Sequence, residues 1–200
     1  TSLQISSNSK NQLFAQLLLP NYQVRSLPTS KQTLYANIDI SLKDLNFLTQ
    51  LITDLKNTKG IFNAQIKITG SFNKPFINLN LNLQQASTEI PALGLKLKNI
   101  KYQLHTDKNN LIGIGQIYSG NGLLDVHSTT DLLKQNLSTL VDLQGKDVTI
   151  IHNPEYQITA TPKLKILANR QQIEPNGIIL FPKGRIKINP KNINSIELSN

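Results

Sequence analysis

Apolar and polar residues alternate with a period of two along most of this 200-residue chain. Because successive side chains of a β-strand point to opposite faces, the alternation predicts strands with one apolar and one hydrated face. A buried parallel sheet would give continuous apolar runs instead. The alternating apolar positions are Leu34, Ala36, Ile38 and Ile40; Phe62, Ala64, Ile66 and Ile68; Ile77, Leu79, Leu81 and Leu83; Leu93, Leu95 and Leu97; Ile100, Tyr102 and Leu104; Ile158 and Ala160; Leu164, Ile166 and Ala168; and Ile186 and Ile188.

Segments rich in Asn, Gly, Pro and Asp separate these runs, for example at 73–75, 107–110, 119–122 and 174–177. These residue types favour turns. Their spacing predicts roughly a dozen strands of about six to nine residues, joined in sequence as an antiparallel meander. The pattern fits two all-β architectures: a sandwich that buries the apolar faces, and a long curved sheet whose aliphatic face lines a trough.

One segment departs from the period of two. Between residues 42 and 56 the apolar residues recur at helical spacings of three and four, which predicts a short amphipathic helix. Ser41 and Asp44 form a possible capping pair, and Gly60 suits the exit. We therefore expect a single fragment of a longer repetitive protein over 1–200, with strands over 1–40, a helix over 41–57 and a continuous strand meander over 60–200.

The composition narrows the classes of function. The chain has no Cys, which excludes disulfides, thiolate metal sites and cysteine nucleophiles. The net charge is +9, but the basic residues recur singly and are not interleaved with aromatics, so nucleic-acid binding is not expected. The run Leu17–Leu19 is too short to span a bilayer. We expect any membrane anchor to lie outside this fragment.

No constellation for catalysis stands out. His105, His127 and His152 lack partners at metal-ligand spacing. Asp125, Asp131 and Asp142 could approach one another if their strands stack, but aromatics for a sugar site are missing nearby. Gly113-Ile114-Gly115 is not followed by a helical pattern, so it does not indicate dinucleotide binding. We therefore expect a binding or scaffolding protein that has no catalytic residues, no cofactor and no metal.

Three blocks in order carry a resemblance to a known family. The first runs from Gly60 to Pro75, with an alternating strand between two glycines and a proline after it. The second reads Ile90-Pro91-Ala92-Leu93-Gly94-Leu95-Lys96-Leu97 and is followed by Ser119-Gly120-Asn121-Gly122. The third runs from Pro154 to Leu164, with Gly177, Pro182 and Pro190 beyond it. Over roughly residues 40–200 this order resembles the TamB family of AsmA-like inter-membrane bridge proteins; Thr161, Lys163 and Gly184 depart from its usual residues.

The resemblance implies an elongated, curved β-sheet, taco-like or open β-helix-like, with an apolar groove. It also implies a periplasmic location in a protein anchored in the inner membrane. The implied partners are phospholipid acyl chains and, through the full-length protein, an outer-membrane barrel protein like TamA. The residues expected to line the groove are Leu34, Ile38, Ile40, Phe62, Ile66, Ile68, Ile77, Leu79, Leu81, Leu83, Leu93, Leu95, Leu97, Ile100, Leu104, Ile158, Leu164, Ile166, Ile186 and Ile188.

Three functions remain open from the sequence. The first is a lipid conduit that shields acyl chains between the two membranes and supports outer-membrane assembly. The second is a chaperone-like holder of unfolded outer-membrane strands, through the same trough or through open strand edges. The third is a closed structural β-sandwich, such as an adhesin repeat, with a filled core and no ligand.

Overall fold

The computed structural model describes residues 2–8, 10–20, 22, 29–133 and 137–187, and for residues 2–8 it describes the backbone alone. Within these ranges the chain forms one sheet of 12 strands. The strands are β1 (Ser2–Asn8), β2 (Asn11–Leu18), β3 (Tyr35–Leu42), β4 (Lys56–Ser71), β5 (Lys74–Ile90), β6 (Leu95–Asp107), β7 (Asn110–Ser119), β8 (Gly122–Asp131), β9 (Thr139–Lys146), β10 (Val148–His152), β11 (Tyr156–Ala168) and β12 (Ile173–Ile186). The predicted all-β class and open elongated sheet are confirmed.

The sheet is an antiparallel meander. Each strand from β1 to β8 pairs with the next along the chain, and β11 pairs with β12. β9 and β10 are separated by a single residue. Both pair with the same edge of β11, at different positions along it. Asp147, with φ +49°, marks the bend between them. In the described part of the chain the sheet does not close into a barrel, and β12 forms its final edge.

Bulges keep the apolar residues on one face although their spacing changes within β5 and β6. In β5 the apolar positions pass from Leu83 to Ala86, and in β6 from Leu97 to Ile100, so each strand gains one residue. The extra residues are Gln85 and Asn99, whose φ values of +50° and +48° fit the bulged conformation. The spacing of three between these apolar residues therefore corresponds to one bulge residue in each strand. The bulge keeps the apolar side chains that follow it on the same face of the sheet.

The predicted helix is much shorter than expected. β3 continues to Leu42 and β4 begins at Lys56, so only Leu48–Leu51 forms an α-helix, α1, and a 3-10 helix occupies Pro91–Leu93. The Asn11 side chain bonds the backbone of Lys43 and Asp44, which holds the start of the segment in a non-helical turn. Leu45 is buried and lies against the space beside Gly60. Gly60 itself belongs to β4 and does not end a helix.

At one end of the sheet β10 folds back onto other strands; we call this the covered end. β10 approaches β6 and β7 within 8 Å between Cα atoms, although neither pairs with it in the sheet. The Ser119 hydroxyl donates a 2.6 Å hydrogen bond to the Thr149 carbonyl. A Cβ atom added at Gly94 would lie 1.9 Å from the His152 carbonyl oxygen. β10 can therefore approach this closely only because small residues, Gly94 and Ser119, occupy the turn before β6 and the end of β7.

Replacing Gly94 with alanine is expected to lower the free energy of unfolding by about 3 kcal/mol. Gly94 has φ +65°, which costs a residue with a Cβ about 1 kcal/mol, and the clash with backbone forces β10 to shift. Urea unfolding measures the change. Gly184→Ala is the control, because its Cβ meets nothing within 4 Å. Equal unfolding midpoints for the two variants would contradict the close packing of β10.

Candidate functional site: the aliphatic face

Strand register places the apolar residues in continuous rows on one face of the sheet, which we call the aliphatic face. Directly paired residues of an antiparallel sheet share a face. The rows run across many strands without interruption from β2 to β12. One row is Leu13, Ile40, Ala64, Leu81, Leu104, Gly113, Ser128, Val141, Ile166 and Pro175, and a second is Leu42, Phe62, Leu83, Tyr102, Gly115, Val126, Leu143, Leu164 and Gly177.

The aliphatic face is partly shielded although no second sheet covers it in the described part of the chain. Its members, such as Ile66 and Leu81, are half-buried, whereas neighbours such as Lys67 and Asn80 on the opposite face are exposed. Neighbouring side chains of the rows shield one another, and at the covered end β10 returns to within 8 Å of β6 and β7 between Cα atoms. Among residues 2–187 as far as they are described, no second layer faces these rows, so this part of the chain is not a closed sandwich.

Charge is absent from the aliphatic face in the described strands. The registered positions hold aliphatic, aromatic, glycine, proline, serine and threonine residues, together with Asn11 at the margin of the sheet. Lys, Asp, Asn and Gln occupy the opposite face, as in the row Ser41, Asn63, Asn82 and Gln103. An unpaired charge in an apolar surface costs several kcal/mol when a ligand covers it. The aliphatic face is therefore suited to binding apolar ligands across all of the described strands.

Most of the residues expected to line a groove lie on this face. They are Ile38, Ile40, Phe62, Ile66, Ile68, Ile77, Leu79, Leu81, Leu83, Leu97, Ile100, Leu104, Ile158, Leu164 and Ile166, on strands β3 to β6 and β11. Leu34 and Leu95 are buried at 8 % exposure, so they belong to the packing at the ends of strands. Leu93 lies in the 3-10 helix, outside the strands. Ile186 is on the edge strand β12, 65 % exposed, and Ile188 lies outside the described residues.

A polar contact in the middle of the aliphatic face was not foreseen. The Tyr102 side chain lies across Gly113 and Gly115 of β7, where an added Cβ would meet the Tyr102 hydroxyl at 2.1 Å and the ring at 2.6 Å, respectively. Its hydroxyl is 2.7 Å from the Ser128 hydroxyl on β8. The signal in the sequence was Gly113-Ile114-Gly115, which spaces two glycines on one face of a strand and marks a close approach by another group.

The opposite face is less uniformly polar than the alternation predicts. Ile114, Leu140 and Leu167 point to this side and are 49 %, 46 % and 38 % exposed. Leu140 and Leu167 are paired with each other, and their row also holds Ile112 between His105 and Thr129. Exposed apolar residues are common on protein surfaces. Leu140 and Leu167 can therefore serve as control positions when the exposed apolar residues of the edge strand β12 are substituted.

The titratable residues considered in the sequence do not form a site in the described part of the chain. His105 and His127 lie on β6 and β8, and His152 ends β10. Asp125 and Asp142 lie on adjacent strands, where they accept hydrogen bonds from the amides of Gln116 and Gln144, and Asp131 lies at the opposite end of its strand. No group of three metal-ligating side chains gathers among the residues described here.

Fold and face together define an all-β protein built as one open antiparallel meander with a continuous aliphatic face. Comparison with family models, with curated proteins and with solved structures finds no match to the chain. Neither helix within the described ranges is long and apolar enough to cross a membrane.

Proposed function

We propose that the aliphatic face binds the acyl chains of phospholipids and shields them from water during transport between the inner and outer membranes. The observation that carries this proposal is the combination of an uncharged aliphatic surface with the absence of a covering layer over the described strands. Large uncovered apolar surfaces on proteins mark sites for ligands, membranes or partners. The role is one of binding, and the proposal assigns no catalytic residue.

The energetics favour a sliding ligand. Each CH₂ removed from water contributes about 0.8 kcal/mol, and a uniform aliphatic surface provides this gain at every position. An acyl chain can then move along the face without leaving a single deep site. Eleven strand positions at about 4.8 Å each extend roughly 50 Å across the sheet. That length accommodates several acyl chains side by side.

The order of the sequence blocks supports the cellular setting that we propose. The resemblance to the TamB family suggests a periplasmic segment of a protein that is anchored in the inner membrane by a part outside this fragment. It also suggests an outer-membrane barrel protein like TamA as the partner of the full-length protein. Lipid moving between the two membranes is the cargo that fits both the setting and the chemistry of the face.

Binding of a fluorescent fatty acid tests the proposal. We expect Leu81→Asp to weaken binding at least about tenfold, because a charge on the face must be desolvated by the ligand. Asn80→Asp introduces the same charge one residue away at an exposed position of the opposite face, and we expect it to leave binding unchanged. Circular dichroism checks that both variants fold. Equal affinities for both folded variants, or no binding by the native chain, would refute the proposal.

A second candidate is the holding of unfolded β-strands by strand addition, and the edge strand β12 favours it. Every described residue of β12 is exposed, and Ile178, Ile179, Leu180 and Phe181 are between 44 % and 64 % exposed. Natural proteins usually protect such edges with charge or a covering element, because an exposed apolar edge recruits other strands.

Lysine substitutions at the edge test this candidate. We expect Ile178→Lys with Leu180→Lys to reduce capture of an alternating apolar peptide about tenfold, since charge on an edge opposes strand addition. Leu140→Lys with Leu167→Lys is the matched control, because these exposed residues lie within the sheet. Fluorescence anisotropy of the labelled peptide measures affinity. Equal losses in both pairs would indicate nonspecific apolar contact and exclude the edge as the site.

A further inference from the structure

A hollow at the covered end combines basic side chains with tightly placed turns, and we call it the end notch. It has a volume of about 450 Å³ and lies between the start of β6, the β7–β8 turn and β10. Lys96 and Lys98 line it from β6, Asn121 lines it from the turn, and Thr149 and His152 line it from β10. The volume is within the range of small-molecule sites.

The notch is built by residues distant in the chain, and its walls are closely packed. A Cβ at Gly94 would lie 1.9 Å from the His152 carbonyl oxygen, and one at Gly120 would lie 2.0 Å from the Thr149 hydroxyl. The turns and β10 therefore touch where the glycines allow it. The Ser119 hydroxyl donates a hydrogen bond to the Thr149 carbonyl of β10. Such packing fixes the backbone around the hollow, and the Lys96 side chain, 69 % exposed, reaches solvent at its rim.

The charge around the notch is positive. A second hollow of about 470 Å³ shares Lys96 and Lys98 with the notch and adds Lys59. Glu89 is the acidic residue that lines this second hollow, and its carboxylate is 3.3 Å from the Lys96 ammonium. The hydrogen bond from the Asn57 amide and the contact with Lys96 hold the pKa of Glu89 below its ordinary value. The three lysines still outnumber the one carboxylate.

We propose that the end notch binds a phosphate-bearing anion through Lys96 and Lys98, with Asn121, Thr149 and His152 as polar partners. Ammonium groups form charge-assisted hydrogen bonds with phosphate oxygens, and amide and hydroxyl donors complete the coordination. The chemistry is shared by a lipid head group and by a soluble phosphate ester. The proposal does not depend on acyl-chain binding, because the lysines are at the covered end and on the hydrated side of the sheet.

Titration of the native chain with glycerol phosphate, followed by NMR of the backbone amides, tests the site without any acyl chain. We expect saturable shifts at Gly120, Asn121 and Thr149. Lys96→Gln with Lys98→Gln should weaken binding about tenfold, as expected for the loss of charge-assisted bonds. Lys67→Gln with Lys163→Gln removes the same charge from positions outside the notch and should leave affinity unchanged. Glu89→Gln should strengthen binding, because it releases Lys96 from its ion pair.

Vesicle flotation distinguishes the two sources of phosphate. Binding of glycerol phosphate together with stronger binding to phosphatidylglycerol vesicles than to phosphatidylcholine vesicles, both lost in the Lys96/Lys98 variant, assigns the notch to lipid head groups. Binding of glycerol phosphate without flotation assigns it to a soluble ester. Absence of saturable shifts, or equal weakening by the Lys67/Lys163 control, would overturn the proposal. The glycerol phosphate titration uses no acyl chain, so its failure leaves the test of lipid shielding separate.

Discussion

Ala160→Asp is expected to lower the free energy of unfolding by at least about 3 kcal/mol, because it places an unpaired charge in an apolar, closed environment. Ala160 is 2 % exposed and pairs with Val148 of β10, which is 6 % exposed. No Lys or Arg occupies the neighbouring positions of the aliphatic face. The fold must therefore open at the covered end to hydrate the carboxylate. Urea unfolding monitored by circular dichroism measures the change.

Lys163→Asp on the same strand is the control for Ala160→Asp. Lys163 is exposed and lies opposite Gln144, so an aspartate there remains hydrated. We expect a change within about 0.5 kcal/mol, as for most surface substitutions. A loss of similar size in both variants would show that β11 tolerates no aspartate at all. That result would contradict the specific burial of Ala160 beneath the covered end.

Tyr102→Ala is expected to destabilise the chain by about 2 kcal/mol, since it removes a half-buried ring from above Gly113 and Gly115. The glycines contribute no side chain that could fill the gap. Tyr102→Phe keeps the ring and loses the hydrogen bond to Ser128, so we expect a smaller loss of about 1 kcal/mol. Thermal unfolding of the two variants separates the contribution of the ring from that of the hydroxyl.

A double-mutant cycle tests the hydrogen-bond part of this prediction. Ser128→Ala alone should cost about 1 kcal/mol, because it leaves the tyrosine hydroxyl without its partner on the face. Ser128→Ala combined with Tyr102→Phe should cost little more than either single change, because the pair is then absent as a whole. Strictly additive losses would show that the two hydroxyls do not act together.

The sequence predicted the strands and the face they share because alternation is a direct consequence of strand geometry. The pairing of Ile38 with Ile66 and of Ile66 with Leu79 follows from apolar residues seeking one side of the sheet. The sequence also shows that the spacing between apolar residues changes from two to three between Leu97 and Ile100. Only the structure identifies this change as a bulge at Asn99. The openness of the sheet could not be derived from alternation, since a sandwich requires the same pattern.

Other features depend on contacts between residues far apart in the chain. The helical spacing from Leu42 to Leu55 predicted a long helix, but Asn11 bonds the backbone of residues 43 and 44 and Leu45 is buried beside β4. Four residues are too few to bury an amphipathic stripe, and Leu51 and Ile52 of the predicted stripe are 72 % and 47 % exposed. The return of β10 over the turns at Gly94 and Gly120 left no periodic signal in the sequence, because it rests on close approach alone.

Photocrosslinking in cells labelled with radioactive phosphate shows whether phospholipid lies against the aliphatic face. A photoreactive residue replaces Ile66 or Leu81 on the aliphatic face, and Lys67 or Asn82 serves as the control on the opposite face. We expect labelled phospholipid attached at Ile66 and Leu81 and none at Lys67 and Asn82. Protein crosslinks without phosphate label at the first two positions, or equal label at all four, would contradict lipid shielding by this face.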